Sequence, residues 1–138
     1  MTPVGRAVAE RLCTGLDRDA SIETIELGEL TSAIHTWFEP TVVAAKETVL
    51  AADVLVVVSP VYKASFSGLL KSLFDHFVHD QLAAVPTVPV MVGASDGHQL
   101  AVEQQLKPVL VEIGASRPTR GIYVVESELA ALKATIEA

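Results

Sequence analysis

The chain has 138 residues, half hydrophobic and a fifth charged, which fits one domain over residues 1–138 and excludes a disordered chain. A formal charge of −7 with scattered Arg and Lys excludes a basic nucleic-acid surface. The single cysteine, Cys13, excludes an intrachain disulfide and a thiolate metal cluster, and agrees with a reducing cytoplasm.

Residues 1–10 lack the apolar core of a signal peptide. The strongest apolar run, residues 54–58, is far too short to span a bilayer. A cytoplasmic, soluble protein with no membrane partner is expected. Residues 4–16 read as a helix, because Val4, Val8, Leu12 and Leu16 recur at helical spacing. Residues 22–27 read as a short strand with imperfect alternation. The Ala-rich residues 41–51 read as a second helix. Residues 53–59 are a Val/Leu run, the pattern of a strand buried on both faces.

Ser67 is a good N-cap for the next helix. Leu69, Leu70, Leu73, Phe74 and Phe77 then form an apolar stripe that runs to about His79. Pro86 and Pro89 flank a linker, and residues 88–92 read as another buried strand. Residues 93–97 form a small-residue loop. Residues 100–113 read as a helix that Pro108 should kink or break locally, with Gly114 as its stop. Residues 121–125 read as a last strand and residues 128–138 as a closing helix. The order αβαβαβαβα implies an α/β fold, a doubly wound parallel sheet with helices on both faces. In such sheets ligands bind beyond the carboxyl ends of the strands, which points to residues 59–67 and 93–98.

The stretch VVVSPVYKASFSGLLKSLFDHF, residues 56–77, resembles the NAD(P)H-dependent FMN reductases, and among them the reductase components of two-component flavin monooxygenases. VGASDGHQLAVEQQLKPVLVEIGA, residues 92–115, resembles the family's next strand, small-residue loop and Pro-containing helix. The resemblance is continuous over residues 53–115 and implies a flavodoxin-like fold. It implies FMN and NADPH or NADH as cofactors, and hydride transfer from nicotinamide to flavin. In that chemistry the cofactor reacts while the protein positions it, so no catalytic acid, base or metal is sought. Pro60, Val61, Tyr62 and Lys63, with Ser65, are implied to wrap one edge of the flavin ring. Ala94, Ser95 and Asp96 are implied to border it from the next loop. His98 either bonds flavin or a neighbouring subunit, or makes local bonds at a helix start.

The resemblance further implies a homodimer or homotetramer built through residues 68–77 and 100–113, and a flavin-dependent monooxygenase as partner. It places a π-type irregularity near residues 65–68, with Phe66 standing where relatives commonly have a Tyr. Relatives begin with a strand and a hydroxyl- and Gly-containing phosphate loop. Here Met1 to Ala7 falls where that loop enters the first helix, leaving Thr2 and Arg6 as candidates for the phosphate end. The family's first strand is therefore expected to precede Met1, or else the sheet closes up as 2-3-4-5. A quinone or azo reductase of the same fold is an alternative reading. So is a non-catalytic interaction domain. His76 and His79 lack a third metal ligand and read as surface residues. Trp37 and Phe38 either pack under a loop or meet a subunit.

Overall fold

The computed structural model describes residues 2–15, 19–115, 118–129, 131 and 134. Its helices are α1 (Thr2–Gly15), α2 (Pro40–Leu50), α3 (Gly68–Phe74) and α4 (Lys107–Glu112), the last entered through a π turn at Val102–Leu106. Its strands are β1 (Leu55–Pro60), β2 (Thr87–Gly93) and β3 (Ile122–Val125). They form one parallel sheet in the order β1-β2-β3, with Leu55 opposite Thr87 and Val90 opposite Ile122.

The Val/Leu runs become strands because both faces of the sheet are covered. Every residue of the central strand β2 is buried. Val88, Val90 and Val92 face α1, where Val4 and the half-buried Val8 and Leu12 meet them together with Val124. Met91 and Val57 lie in a larger core built by α2, α3, the π turn and α4. Helices thus cover both faces, as a doubly wound sheet requires.

Pro89 sits inside β2, within the strand expected over residues 88–92, and the linker expected between Pro86 and Pro89 gives way to strand from Thr87 on. The ladder tolerates it for a geometric reason. The Leu55 N–H donates to the Pro86 carbonyl and the Val61 N–H to the Val92 carbonyl, so the even-numbered residues of β2 bond to β1. The missing Pro89 donor therefore points toward β3, whose pairing begins one residue later at Val90.

The expected strand over residues 22–27 does not form. Residues 21–26 have no regular structure, and Leu27–Leu30 is a 3-10 turn. The order αβαβαβαβα is corrected accordingly: three strands are present among the described residues, and a four-strand 2-3-4-5 sheet is not. A strand needs a ladder, and among the described residues β1 pairs with β2 alone. The apolar signal still reported burial, since Ile25 and Leu27 pack against the larger core.

Helix α3 ends at Phe74, short of His79. The chain tightens there into three-residue turns, with His76 N–H donating to the Leu73 carbonyl and Phe77 N–H to that of Phe74. Lys46 Nζ, from α2, caps the end by donating to the His76 carbonyl at 2.7 Å. His76 is half-buried, contrary to the surface reading: its Nε2 lies 2.6 Å from the Ile34 carbonyl and its ring meets that of Trp37 at a tilt, centroids 4.8 Å apart. Trp37 and Phe38 nevertheless remain exposed.

The helix expected over residues 100–113 is interrupted as Pro108 suggested. Lys107 N–H reaches the Val102 carbonyl, five residues back, in the turn that feeds α4. Gly114 does end that helix, at φ +111°. Leu16, expected to end α1, lies outside the described residues. The closing helix over 128–138 falls mostly outside them too, after a 3-10 turn at Glu126–Glu128.

Candidate functional site at the carboxyl end of the sheet

β1 and β2 are neighbours, so the loops leaving their carboxyl ends begin about 5 Å apart. The Val61 N–H donates to the Val92 carbonyl at 2.8 Å, which extends the pairing into the first loop. Tyr62 and Ser65 then exchange both main-chain hydrogen bonds, at 2.8 and 3.1 Å, closing a two-residue turn. Its central residues Lys63 and Ala64 have φ of +50° and +62°. This is the conformation that usually selects Asn-Gly. Two residues with side chains in the left-handed region cost about 1–2 kcal/mol each, and such strain gathers at functional sites.

Two serines hold the far side of this loop. Ser59 is buried, and its Oγ accepts the Ser67 N–H at 2.9 Å while donating to the Pro60 carbonyl. Ser67 caps α3 by accepting the Leu70 N–H, as its position suggested. The π irregularity expected near residues 65–68 is not there; a separate π turn lies at Val102–Leu106, just before Pro108.

The second loop leaves β2 at Gly93, and Ala94 to Leu100 are all exposed. A short 3-10 turn spans Asp96–His98, and Gln99 Nε2 donates to Asp96 Oδ1 at 2.7 Å. Tyr123, on β3 opposite Met91, crosses over Gly93 and donates its hydroxyl to the Ser95 carbonyl at 2.6 Å. A Cβ on Gly93 would collide with the phenol, 2.8 Å from Cζ and closer to the hydroxyl. Burial first, and the Asp96 charge second, push the phenol's pKa above its ordinary value, so it stays a donor.

The structure brings Pro60, Val61, Tyr62, Lys63 and Ser65 beside Ala94, Ser95, Asp96 and His98 on adjacent loops. Pro60, Val61 and Ser65 are half-buried, whereas Tyr62, Lys63 and the second-loop residues are exposed. The His98 ring makes no hydrogen bond to any described residue. The start of α1 stands at the same end of the sheet: a Cβ on Gly5 would lie 2.9 Å from Val58 Cγ2. Arg6 there is engaged with Glu10 at 3.0 Å, one turn along α1. The Thr2 side chain lies outside what is described.

The donor set suits a flat ligand with acceptors on its rim. Among the described residues, the N–H groups of Lys63, Ala64, Ala94 and Ser95 donate to no protein acceptor. They sit on the two loops that leave the neighbouring strands β1 and β2, with the exposed aromatic Tyr62 on the first. Ala64, Ser59 and Tyr123 were missed as site residues. A glycine ending a buried strand was the available signal for a close-packed neighbour, though it does not say which neighbour.

Residues 3–130 match the family described as NADPH-dependent FMN reductase. The chain is 37% identical over 122 residues to an FMN reductase (NADPH) of Pseudomonas putida, covering 86% of this chain and 62% of the relative. It is 33% identical over 123 residues to the NADH-dependent FMN reductase SfnF of Pseudomonas putida, covering 86% of this chain and 66% of the relative. The chain thus spans just under two-thirds of these relatives' length. The solved apo structure of the NADH:FMN oxidoreductase EMOB superposes with a TM-score of 0.79 at 28% identity, covering 96% of this chain and 75% of that one. That likeness agrees with the flavodoxin-like expectation. On the extent of the family match, the chain belongs to the NADPH-dependent FMN reductase family.

Proposed function

We propose that the chain is the flavin-binding domain, over residues 1–138, of an enzyme that moves hydride from NADH or NADPH to FMN. The observation that carries this reading is the pair of adjacent loops with unused main-chain donors, in a chain of this family. In the balanced reaction, NAD(P)H and one proton reduce FMN to its dihydro form. The bound flavin supplies the two-electron chemistry, and the protein supplies position and electrostatics. Lys63, Ala64, Ala94 and Ser95 offer N–H groups to the ring's polar rim. Pro60, Val61 and Tyr62 flank it, with Ser65, Asp96 and His98 at its margin. Thr2 and Arg6 stand at the phosphate end, where Arg6 would have to leave Glu10 to pair with an anion.

Two finer points belong to the same reading. The single cysteine, Cys13, agrees with a reducing, cytoplasmic setting, and no helix among the described residues is long and apolar enough to cross a membrane. Leu100, Val78 and Val111 are exposed on or beside α3 and α4, which supports a homodimer or homotetramer built through those helices. Reduced flavin released from such a site would serve a flavin-dependent monooxygenase.

The test is to mix purified protein with FMN and either nicotinamide and to follow loss of nicotinamide absorbance. Flavin-dependent oxidation is expected. A folded protein that oxidises neither NADH nor NADPH in the presence of FMN overturns the proposal.

A further inference from the structure

We infer that Tyr123 is the positioning residue of the flavin site, holding the loop after β2 so that its main chain meets the ring. This rests on the flavin reading above. Tyr123 touches no part of the proposed ring-binding edge formed by residues 60–65 through any hydrogen bond; it acts through Ser95.

Three observations converge. First, the loop has little else to hold it. Residues 94–100 are exposed, and the hydrogen bonds from Gln99 to Asp96 lie within the loop itself. Among the described residues, the Tyr123 hydroxyl is the only side-chain donor from outside that reaches residues 94–98. Second, the phenol is itself fixed. Tyr123 is paired with Met91 in the sheet, packs against the larger core, and fills the space a side chain at Gly93 would take. A rigid ring anchored on β3 therefore projects over β2 to grip the loop two residues past Gly93. Third, the bond is placed where it matters for a ligand. It engages the Ser95 carbonyl and leaves the Ala94 and Ser95 N–H groups without a protein acceptor. The carbonyl is turned toward the protein, and the donors remain for the rim of the ring.

Gly93 and Tyr123 thus form one device. Any side chain at Gly93 displaces the phenol, and losing the hydroxyl frees the loop while keeping the packed ring. Tyr123→Phe separates these effects, because it retains the ring and removes only the donor.

The experiment compares wild type and Tyr123→Phe as full chains by FMN fluorescence titration, thermal melting and amide hydrogen exchange. The expected result is an FMN dissociation constant raised about fivefold, the scale of one positioning hydrogen bond. In the FMN-saturated proteins, exchange should quicken at the Ala94, Ser95 and Gln99 amides and stay unchanged in β2, as it would not for a general loss of stability. A dissociation constant within twofold of wild type overturns the inference. So does raised exchange spread evenly over β2 and β3. Wild-type protein that binds no FMN overturns the flavin reading itself. That failure is recognisable because it appears before any substitution is made.

Discussion

The Gly121 N–H donates to Glu103 Oε1 at 2.6 Å, so the π turn is bonded to the start of β3 across 18 residues of sequence. The same carboxylate pairs with Lys107 Nζ at 2.6 Å, one turn along. Gly121 also lies hard against the turn, where a Cβ would stand 2.8 Å from Val102 Cγ1. The widened turn therefore does two things. It places Glu103 to satisfy the amide that opens β3, and it absorbs the donor that Pro108 lacks.

Glu103→Ala should lower stability by about 1 kcal/mol, the size of one partly exposed charged hydrogen bond after solvent screening. Glu103→Gln should cost less, since it keeps an acceptor. The carboxyl is held below its ordinary value of 4.5 by the hydrogen bond from Lys107 first and the Gly121 amide second. A lowered carboxylate stabilises fully above that ordinary value and loses its contribution as pH falls through the lowered one. Denaturant titrations should therefore show the gap between wild type and Glu103→Gln narrowing below pH 4.5. A gap that widens there contradicts the assignment.

Gly114→Ala should destabilise more, by about 3 kcal/mol. Gly114 holds φ +111°, where a side chain is strained, and its Cβ would lie 2.6 Å from the Asp80 Cα and carbonyl carbon. Those neighbours are main chain and cannot swing aside. Urea unfolding at fixed temperature checks this, and a loss under 1 kcal/mol would show that the backbone relaxes around the methyl group.

Much of this was legible from residue pattern. The apolar runs at residues 53–59 and 88–92 announced strands, of which β2 is buried throughout while β1 is fully buried only at Val57 and Ser59, and Ser67 and Gly114 announced a cap and a stop. The loops at the strand ends followed from the parallel order alone. What failed needed partners. Residues 22–27 carry strand-like residues but have no ladder among the described residues. The linker drawn between Pro86 and Pro89 overlapped the start of β2, because tolerance of Pro89 in a strand depends on which neighbour its missing donor faces. Tyr123 was invisible as a site residue because its role lies in crossing to a glycine on another strand.

Ala64→Gly should stabilise the fold. Removing the side chain at φ +62° relieves about 1–2 kcal/mol of left-handed strain. The added freedom of the unfolded chain returns about 0.4–1 kcal/mol of that. The net gain expected in denaturant titration is about 0.5–1 kcal/mol. The opposite change, Ala64→Val, places a β-branched residue in the same conformation and should be clearly destabilising. If Ala64→Gly loses stability, the turn is not strained as its φ values imply.

Lys63→Asn tests charge separately from turn shape. Asn tolerates the left-handed conformation better than most residues, so the turn at φ +50° should survive. What disappears is an exposed positive charge beside the loops of the proposed site. In an acidic chain with net charge −7, that charge should help draw phosphate-bearing nucleotides. An exposed pairing is worth at most about 1 kcal/mol, so the KM for the nicotinamide nucleotide should rise about two- to fivefold at low salt. The difference from wild type should shrink as ionic strength rises and the Debye length falls. A KM that rises equally at all salt concentrations would mean that Lys63 acts through the shape of the turn and not through its charge.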